Sequence, residues 1–202
     1  MIATARNINL LSFWMKPPYK LNFGKLSDEQ FENVCRKHPD LQFELTAKGE
    51  LIIMPPTLPD TGWKNSRLNR RIGNWTENNT GIEFDSSTIF TLKNGAKRSP
   101  DVAWMTLEKW NGFTDSEKKK VSKITPDFVI ELRSSSDTIK SLQSKMREYI
   151  ENGVRLGWLI DPVQKKVYIY RANGEMEVLQ NPEKLSGEDV LPGFELNVQE
   201  IF

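Results

Sequence analysis

Three carboxylates stand in otherwise apolar stretches of this sequence. Asp101 opens the run Asp-Val-Ala-Trp-Met, Glu131 lies inside Phe-Val-Ile-Glu-Leu, and Glu44 lies between Phe43 and Leu45. A buried carboxylate is costly unless it is paired with a cation or bound to a metal ion, so these acids are candidate metal ligands. Any one of them could instead point to water from a strand with one solvated face. The occurrence of all three, with two strands followed by a helix, favours the metal site.

The rest of the composition restricts the chemistry. Cys35 is the only cysteine and His38 the only histidine, so a disulfide within the chain and zinc sites of the usual Cys/His type are excluded. A Ser-His-Asp or Cys-His mechanism would need His38, which lies directly before Pro39 at a predicted helix end and is interpreted as a helix-terminal residue. Oxygen ligands alone favour Mg²⁺ or Mn²⁺ over Zn²⁺.

Composition and charge indicate one globular domain. Apolar residues make up 38% of the 202 residues and charged residues 27%, so a disordered chain is not expected. The formal net charge of +1 creates no overall field for a polyanion, and a DNA-binding surface would need local clustering of basic residues. No apolar run reaches the roughly 18 residues of a membrane span, and the N-terminus lacks signal-peptide features. We therefore expect a cytoplasmic protein without a membrane partner.

Hydrophobic periodicity and turn signals predict the elements that position these acids. A capping box at Ser27 opens a first helix, and QFEL and ELIIM flank an Ala-Lys-Gly turn. Two strands, EFDSSTIFTL and KRSPDVAWM, are joined across an Asn-Gly turn. The β-rich segment PDFVIELR precedes a helix from about Asp137 to Asn152, and further hairpins follow. This order predicts an α/β (α+β) domain around one mixed sheet.

A second helix is predicted from about Thr61 to Asn78. Its apolar residues fall within a narrow arc and form a core stripe, namely Leu68, Ile72 and Trp75. Its basic residues fall together on another arc, namely Lys64, Arg67, Arg70 and Arg71. Such an arc is usually a solvated face, but here it is also a candidate for contacts with DNA phosphates.

Several segments in a fixed order resemble a known family. These are ELTAKGELIIMPP, AKRSPDVAW, PDFVIELRSSSD, KMREYIENG and GWLIDP. Across residues 23–202 they resemble the Uma family of restriction endonucleases, in the PD-(D/E)XK nuclease superfamily. The resemblance implies a restriction-endonuclease-like core, in which a mixed central sheet is flanked by helices, preceded by an N-terminal arm at 1–22. It also implies that Asp101 and Glu131 are metal ligands on adjacent strands, with Glu44 as a further ligand or water-holding residue.

The lysine of the PD-(D/E)XK pattern is displaced in this chain. Its usual position, two residues after the second acid, is occupied by Arg133, which cannot act as a base but can contact a phosphate. The resemblance assigns the lysine to the following helix, where Lys145 matches. Lys145 falls at the border of the predicted buried face, beside Leu142 and Tyr149, so its stem can extend toward the sheet. Next to a metal ion, such a lysine can position water and stabilise the transition state.

Other residues near these motifs have alternative interpretations. Asp127 forms a second Pro-Asp pair, but it would come from the same strand as Glu131, so it is interpreted as the residue that begins the strand. Asp137 is interpreted as a helix N-cap. Relatives carry a histidine near the start of the second helix, and here Asn65 or Asn69 is the candidate to replace it.

The combined prediction is an Mg²⁺- or Mn²⁺-dependent endonuclease that hydrolyses phosphodiester bonds, most naturally those of DNA. The catalytic set is Asp101, Glu131, Lys145 and Glu44, and the predicted DNA contacts are Arg133, Lys64, Arg67 and Arg71. No organic cofactor is expected. Because double-strand cleavage needs two active sites, a homodimer is expected by analogy with the fold. Two alternatives stay open: a catalytically silent nuclease-fold module that binds nucleic acid or protein, and a phosphoesterase acting on RNA.

Overall fold

The computed structural model describes residues 18–22 and 24–202, which form a mixed α+β fold. The helices are α1 (Asp28–Lys37), α2 (Pro59–Thr76), α3 (Leu107–Asn111), α4 (Asp115–Lys118) and α5 (Ile139–Glu151). The strands are β1 (Tyr19–Asn22), β2 (Gln42–Leu45), β3 (Glu50–Met54), β4 (Gly81–Asp85), β5 (Phe90–Thr91), β6 (Lys97–Arg98), β7 (Val102–Thr106), β8 (Phe128–Leu132), β9 (Leu156–Asp161), β10 (Lys166–Arg171), β11 (Met176–Gln180), β12 (Lys184–Ser186) and β13 (Glu195–Asn197). A 3₁₀ turn spans Val198–Glu200.

Six strands form the central sheet in the order β11-β10-β9-β8-β7-β4. β8 and β9 are parallel, whereas the other neighbouring pairs are antiparallel, so the sheet is mixed. Parallel neighbours need a crossover connection, and α5 supplies it between β8 and β9. The predicted fold class, a mixed central sheet flanked by helices, is therefore confirmed.

Helices cover both faces of the central sheet. Ile130 of β8 is buried in one cluster with Leu68 and Ile72 of α2. The preceding residue, Val129, is buried in a second cluster with Met146 of α5, because successive side chains of a strand point to opposite faces. The apolar stripe predicted for α2 is thus its core face. A strand covered on both sides explains the almost continuous apolar run around Glu131.

A second sheet, in the order β1-β3-β2-β6-β5, lies beside the first. Phe31 of α1 is buried with Phe43 and Leu51 against one of its faces. Glu44 and Ile52 are opposite each other in the β2–β3 register and belong to the other face. The second sheet therefore has one face packed on a helix and one face that borders the cleft described below.

The chain passes from the second sheet to the central sheet between β6 and β7. The sequence predicts one continuous strand here, which is wrong because Pro100 has no amide hydrogen and cannot donate to a ladder. A similar break separates β4 from β5, where Asp85 Oδ1 accepts a hydrogen bond from the Ser87 amide in a turn. The first break leaves Asp101 at the junction of the two sheets.

Local capping sets the helix ends. Ser27 forms the predicted capping box with Gln30, since each side chain accepts a hydrogen bond from the other residue's amide. Thr138 caps α5, so the prediction of Asp137 as the N-cap is wrong by one residue. Asp137 instead accepts hydrogen bonds from the amide and hydroxyl of Ser134, which fixes the loop before the helix.

The predicted N-terminal arm is described only in part. Residues 1–17 and Phe23 lie outside the described residues, so the boundary between an arm at 1–22 and a domain at 23–202 stays a prediction. Tyr19–Asn22 form β1, which pairs antiparallel with β3. Among the described residues, no helix has both the length and the apolar character needed to cross a membrane.

Candidate active site

Asp101 and Glu131 lie at the same end of neighbouring strands. β7 and β8 are antiparallel with Val102 opposite Ile130, so the register extended by one residue sets Asp101 opposite Glu131. Side chains of directly opposite residues share a face of the sheet. Glu131 alternates with Ile130 and thus faces α5. Both carboxylates line one cleft at neighbouring strands, while their joint binding of a metal ion stays a prediction.

Neutral donors hold both oxygens of the Asp101 carboxylate. Oδ1 accepts a hydrogen bond from Asn65 Nδ2 at 2.6 Å, and Oδ2 accepts one from the Leu132 amide at 2.7 Å. Asn69 Nδ2 donates to the Asp101 carbonyl oxygen at 3.3 Å, so both asparagines suggested by the sequence contact this residue. Burial raises the pKa of Asp101 above its usual value, although the two hydrogen bonds oppose the shift. Neither bond brings a formal positive charge to the carboxylate.

Glu131 is buried, and its Oε1 accepts from two side chains of α5. Lys145 Nζ lies 2.8 Å away, and the Tyr149 hydroxyl donates at 2.9 Å. Burial, reinforced by the charges of Asp101 and Glu44, raises the pKa of Glu131 to about 8, even though Lys145 opposes the shift. The one ammonium beside Glu131 therefore does not outweigh burial and the neighbouring acids, and a further cation there would favour the ionised form of Glu131.

Lys145 bridges Glu131 and Glu44. Its Nζ is 2.8 Å from Glu131 Oε1 and 2.7 Å from Glu44 Oε1, and it donates to the Ser99 carbonyl oxygen at 3.4 Å. Burial alone would lower the pKa of Lys145, but the two carboxylates outweigh burial and raise this pKa above its usual range. Lys145 is therefore a fixed positive charge at neutral pH. Its predicted reach to an acid of the site is confirmed by these distances.

Glu44 is held by two cations and one backbone amide. Oε1 accepts from the Ser99 amide at 3.0 Å, and Oε2 accepts from Arg98 Nη1 at 3.0 Å. Arg98 Nε also donates to Glu148 of α5 at 2.6 Å. Burial raises the pKa of Glu44, but Lys145 and Arg98 outweigh it, so this pKa lies below its usual value. Glu44 is thus ionised and already neutralised by its neighbours.

These side chains line a cleft of about 730 Å³. One wall comes from the free face of β1, β2 and β3, and the other from α5 and the loop at 134–137. Pockets for small ligands commonly have volumes of about 300–1,000 Å³. The acids therefore lie in a cavity whose volume is within the range of ligand pockets.

The donor set of Asp101 and Glu131 fits a hard divalent cation. Both side chains offer only oxygen, which Mg²⁺ and Mn²⁺ prefer, and burial raises the pKa of both acids. Within residues 18–22 and 24–202, no three His, Cys, Asp or Glu side chains form a group that could hold a metal ion. The three-carboxylate set is therefore not preassembled, and the role of Glu44 as a ligand stays a prediction.

Three of the four basic residues on the arc of α2 form ion pairs, and none of the four lines the cleft. Lys64 pairs with Asp60 one turn earlier at 2.9 Å. Arg67 and Arg71 both pair with Glu200 in the C-terminal 3₁₀ turn. These two arginines therefore fasten α2 to the end of the chain, and their predicted contact with DNA stays a prediction.

Two further acids, Asp161 and Asp127, have structural partners outside the cleft. Asp161 is fully buried, and its Oδ2 accepts from Arg133 Nη1 at 2.7 Å, so Arg133 points away from the cleft. Asp127 accepts from the Thr106 amide at 3.0 Å and from Lys109 Nζ at 2.9 Å. The interpretation of Asp127 as a structural residue at the start of β8 agrees with these bonds, whereas the predicted phosphate contact of Arg133 stays a prediction.

Several residues of the site escaped the sequence analysis. Tyr149 is predicted only as a core residue, although a buried tyrosine hydroxyl normally needs a partner, and that need is the signal for its bond to Glu131. Arg98 gives no local signal, because its partners come from β2 and α5. Three exposed cations, Lys20, Lys48 and Arg147, also line the cleft.

Comparisons with known proteins agree with this architecture. Residues 28–199 match the Uma2 family, described as "Putative restriction endonuclease". Among solved structures, the chain is similar to "a putative nuclease belonging to DUF820" from Anabaena variabilis ATCC 29413. The identity is 19% and the TM-score 0.73, with 88% of this chain and 98% of that chain covered, so the likeness is one of fold. No curated protein matches the chain.

Proposed function

The chain belongs to the Uma2 family, and from that membership we propose that it is an endonuclease that uses Mg²⁺ or Mn²⁺ to hydrolyse phosphodiester bonds in DNA. The observation that carries the proposal is a pair of acids on adjacent strands in one cleft, the half-buried Asp101 and the buried Glu131, with Lys145 beside Glu131. Glu131 shares its one lysine with Glu44 and Asp101 contacts no cation, so a divalent cation would supply positive charge that the two acids lack.

In this proposal, Asp101 and Glu131 hold the metal ion. When bound, such an ion polarises phosphate oxygens and lowers the pKa of a water ligand. Asn65 and the Leu132 amide fix the orientation of Asp101, and Tyr149 does the same for Glu131. Lys145 keeps its proton and places a positive charge beside Glu131, where negative charge builds up on the phosphate oxygens during hydrolysis.

Metal binding and cleavage test the proposal together. The protein would be titrated with Mn²⁺ by calorimetry, then incubated with supercoiled plasmid, linear duplex and RNA in Mg²⁺, Mn²⁺ or EDTA. We expect metal-dependent cleavage of DNA, and about 2.7 kcal/mol of stabilisation at a metal concentration one hundredfold above Kd. Asp101→Asn and Glu131→Gln should each lower cleavage by about 10²-fold or more and remove the stabilisation by metal.

Glu83→Gln is the matched control, because Glu83 is an exposed strand acid outside the cleft. It should leave metal binding and cleavage at the level of the parent. Cleavage that persists in EDTA, or a parent protein that binds no Mn²⁺, would contradict the proposal. Cleavage of RNA alone would correct the substrate to RNA.

A further inference from the structure

Glu44 is the acid of this site with the most hydrogen-bond donors. Its Oε1 accepts from Lys145 and from the Ser99 amide, and its Oε2 accepts from Arg98. A carboxylate offers about four lone-pair positions, so three of them are used, two by formal cations. Asp101, by contrast, accepts only from neutral donors.

We propose that Glu44 is a positioning residue that holds Lys145 beside Glu131 and that it is not a metal ligand. The inference rests on the proposed function, because it assigns a role within the same site. A dication at Glu44 would lie next to both the Lys145 ammonium and the Arg98 guanidinium, whereas Glu131 contacts Lys145 alone, so the repulsion between like charges opposes binding more strongly at Glu44. The absence of a three-acid metal cluster within the described residues agrees with this assignment.

Glu44 is connected to two side chains of α5. Glu44 pairs with Lys145 directly, and it pairs with Arg98, which in turn pairs with Glu148. Lys145 and Glu148 are three residues apart and therefore neighbours on the helix surface. Glu44 thus ties β2 of the second sheet to the helix face that borders the metal site. If a metal ion draws Glu131 away from Lys145, the contact with Glu44 still keeps the ammonium in place.

The test compares Glu44→Gln with Asp101→Asn, using Mn²⁺ alone as the probe in calorimetry and a duplex oligonucleotide in steady-state cleavage. A positioning residue predicts that Glu44→Gln changes the Mn²⁺ Kd by less than about threefold while it lowers kcat by about 10-fold or more and leaves KM near that of the parent. Asp101→Asn should weaken Mn²⁺ binding by about 10²-fold or more. Glu44→Asp, which keeps the charge on a shorter stem, should recover part of kcat.

A second variant covers the case in which Glu44→Gln does not fold. Glu148→Gln weakens the anchor of Arg98 without touching Glu44, and it should lower kcat at unchanged Mn²⁺ affinity. Glu83→Gln serves again as the unaffected control. If Glu44→Gln weakens Mn²⁺ binding as much as Asp101→Asn does, the inference is overturned and Glu44 belongs to the metal site. A Glu148→Gln protein with the kcat of the parent would also overturn it. Failure of the proposed function itself would look different, because the parent would then bind no Mn²⁺.

Discussion

At the scale of single residues, the site is governed by the number of positive charges available to its carboxylates. One ammonium, that of Lys145, serves both Glu131 and Glu44, and Glu44 also has Arg98. Asp101 has none in direct contact. Burial raises the pKa of all three acids, and only at Glu44 do the neighbouring cations outweigh it and lower the pKa. This difference supports the proposal that Asp101 and Glu131 hold the metal ion.

Lys145→Ala should lower DNA cleavage by about 10²-fold or more, the scale of one lost catalytic group. The metal-loaded variant should stay folded, because Arg98 still neutralises Glu44 and the metal ion neutralises Glu131. Rates in Mn²⁺ would be measured together with thermal unfolding. Lys140→Ala, at an exposed lysine of the same helix, is the control and should cleave like the parent. A fully active Lys145→Ala together with a faster Arg133→Lys would assign the lysine role to position 133.

The raised pKa of Glu131 predicts a pH dependence of stability in the metal-free protein. Between the usual value of about 4.5 and the folded-state value of about 8, the unfolded chain has released this proton while the folded protein retains it. Raising the pH through this window therefore destabilises the fold at this residue. Urea unfolding in EDTA would measure the free energy of unfolding at each pH. In the parent this free energy should contain a contribution that falls from pH 5 to pH 8, and the contribution should be absent in Glu131→Gln. If the free energy of unfolding has the same pH slope in both proteins, the raised pKa of Glu131 is refuted.

At the scale of elements, α5 determines the geometry of the site, because it carries Lys145, Glu148 and Tyr149. It approaches β9 closely at Gly157, where a Cβ atom would lie 2.5 Å from Met146 Cε and 3.3 Å from Val129 Cγ2. Glycine at this position leaves room for the end of the Met146 side chain, which packs in the core between α5 and the sheet.

Gly157→Ala should destabilise the protein by about 1–3 kcal/mol, because the added methyl group overpacks a filled core. Cleavage should fall as well, since Lys145 precedes the displaced Met146 in α5. Chemical denaturation and cleavage rates would measure the two effects. Gly62→Ala in α2 is the matched control: its nearest neighbour would be Thr57 Cγ2 at an ordinary 3.8 Å, and alanine favours the helix by up to about 1 kcal/mol. A Gly157→Ala protein as stable as the parent would show that the approach of α5 does not depend on this glycine.

The basic arc of α2 can be tested apart from its role in the fold. If the arc contacts DNA, Arg71→Ala should weaken DNA binding and reduce the salt slope of the binding constant by about 1. Glu200→Gln breaks the same ion pairs but removes no cation, so it should preserve or strengthen DNA binding. Both variants should unfold at a lower temperature. Binding to a DNA duplex, measured at several salt concentrations, would show whether the arc contacts DNA. If Arg71→Ala and the parent bind DNA with equal affinity, the arc has only a structural role.

At the scale of the whole molecule, the cleft exists because the chain forms two sheets and changes from one to the other next to Asp101. The second sheet contributes Glu44, and the central sheet contributes Asp101 and Glu131. The described residues of each chain thus form one candidate site. A single site cuts one strand at a time, so cleavage of both strands of a duplex requires two sites or two successive events.

We predict that double-strand cleavage is carried out by a homodimer. Light scattering at micromolar concentration should then give twice the 23.3 kDa mass of the chain, and linearisation of plasmid should depend on protein concentration more steeply than nicking does. A protein that stays monomeric at this concentration and only nicks plasmid would contradict the prediction.

The sequence by itself determined the elements and the acids. Capping residues, turn residues and hydrophobic periodicity act over a few neighbouring positions, so α1, α5 and the Asn-Gly hairpin could be predicted from them. Asp101 and Glu131 were recognisable because a carboxylate within an apolar strand is costly wherever that strand packs. The order of hairpins and helices was sufficient to predict a mixed sheet, whereas the placement of both acids on neighbouring strands was implied by the resemblance to the Uma family.

Only the tertiary structure decided which charges meet. Lys145 lies between Glu131 and Glu44, Arg98 joins Glu44 to α5, and the α2 arginines pair with the C-terminal turn. These partners are distant in sequence, and an exposed or half-buried cation carries no local pattern that specifies its partner. The physical reason is that ion pairs form wherever packing brings opposite charges together, and packing is set by the apolar faces of the helices and sheets rather than by the charges themselves.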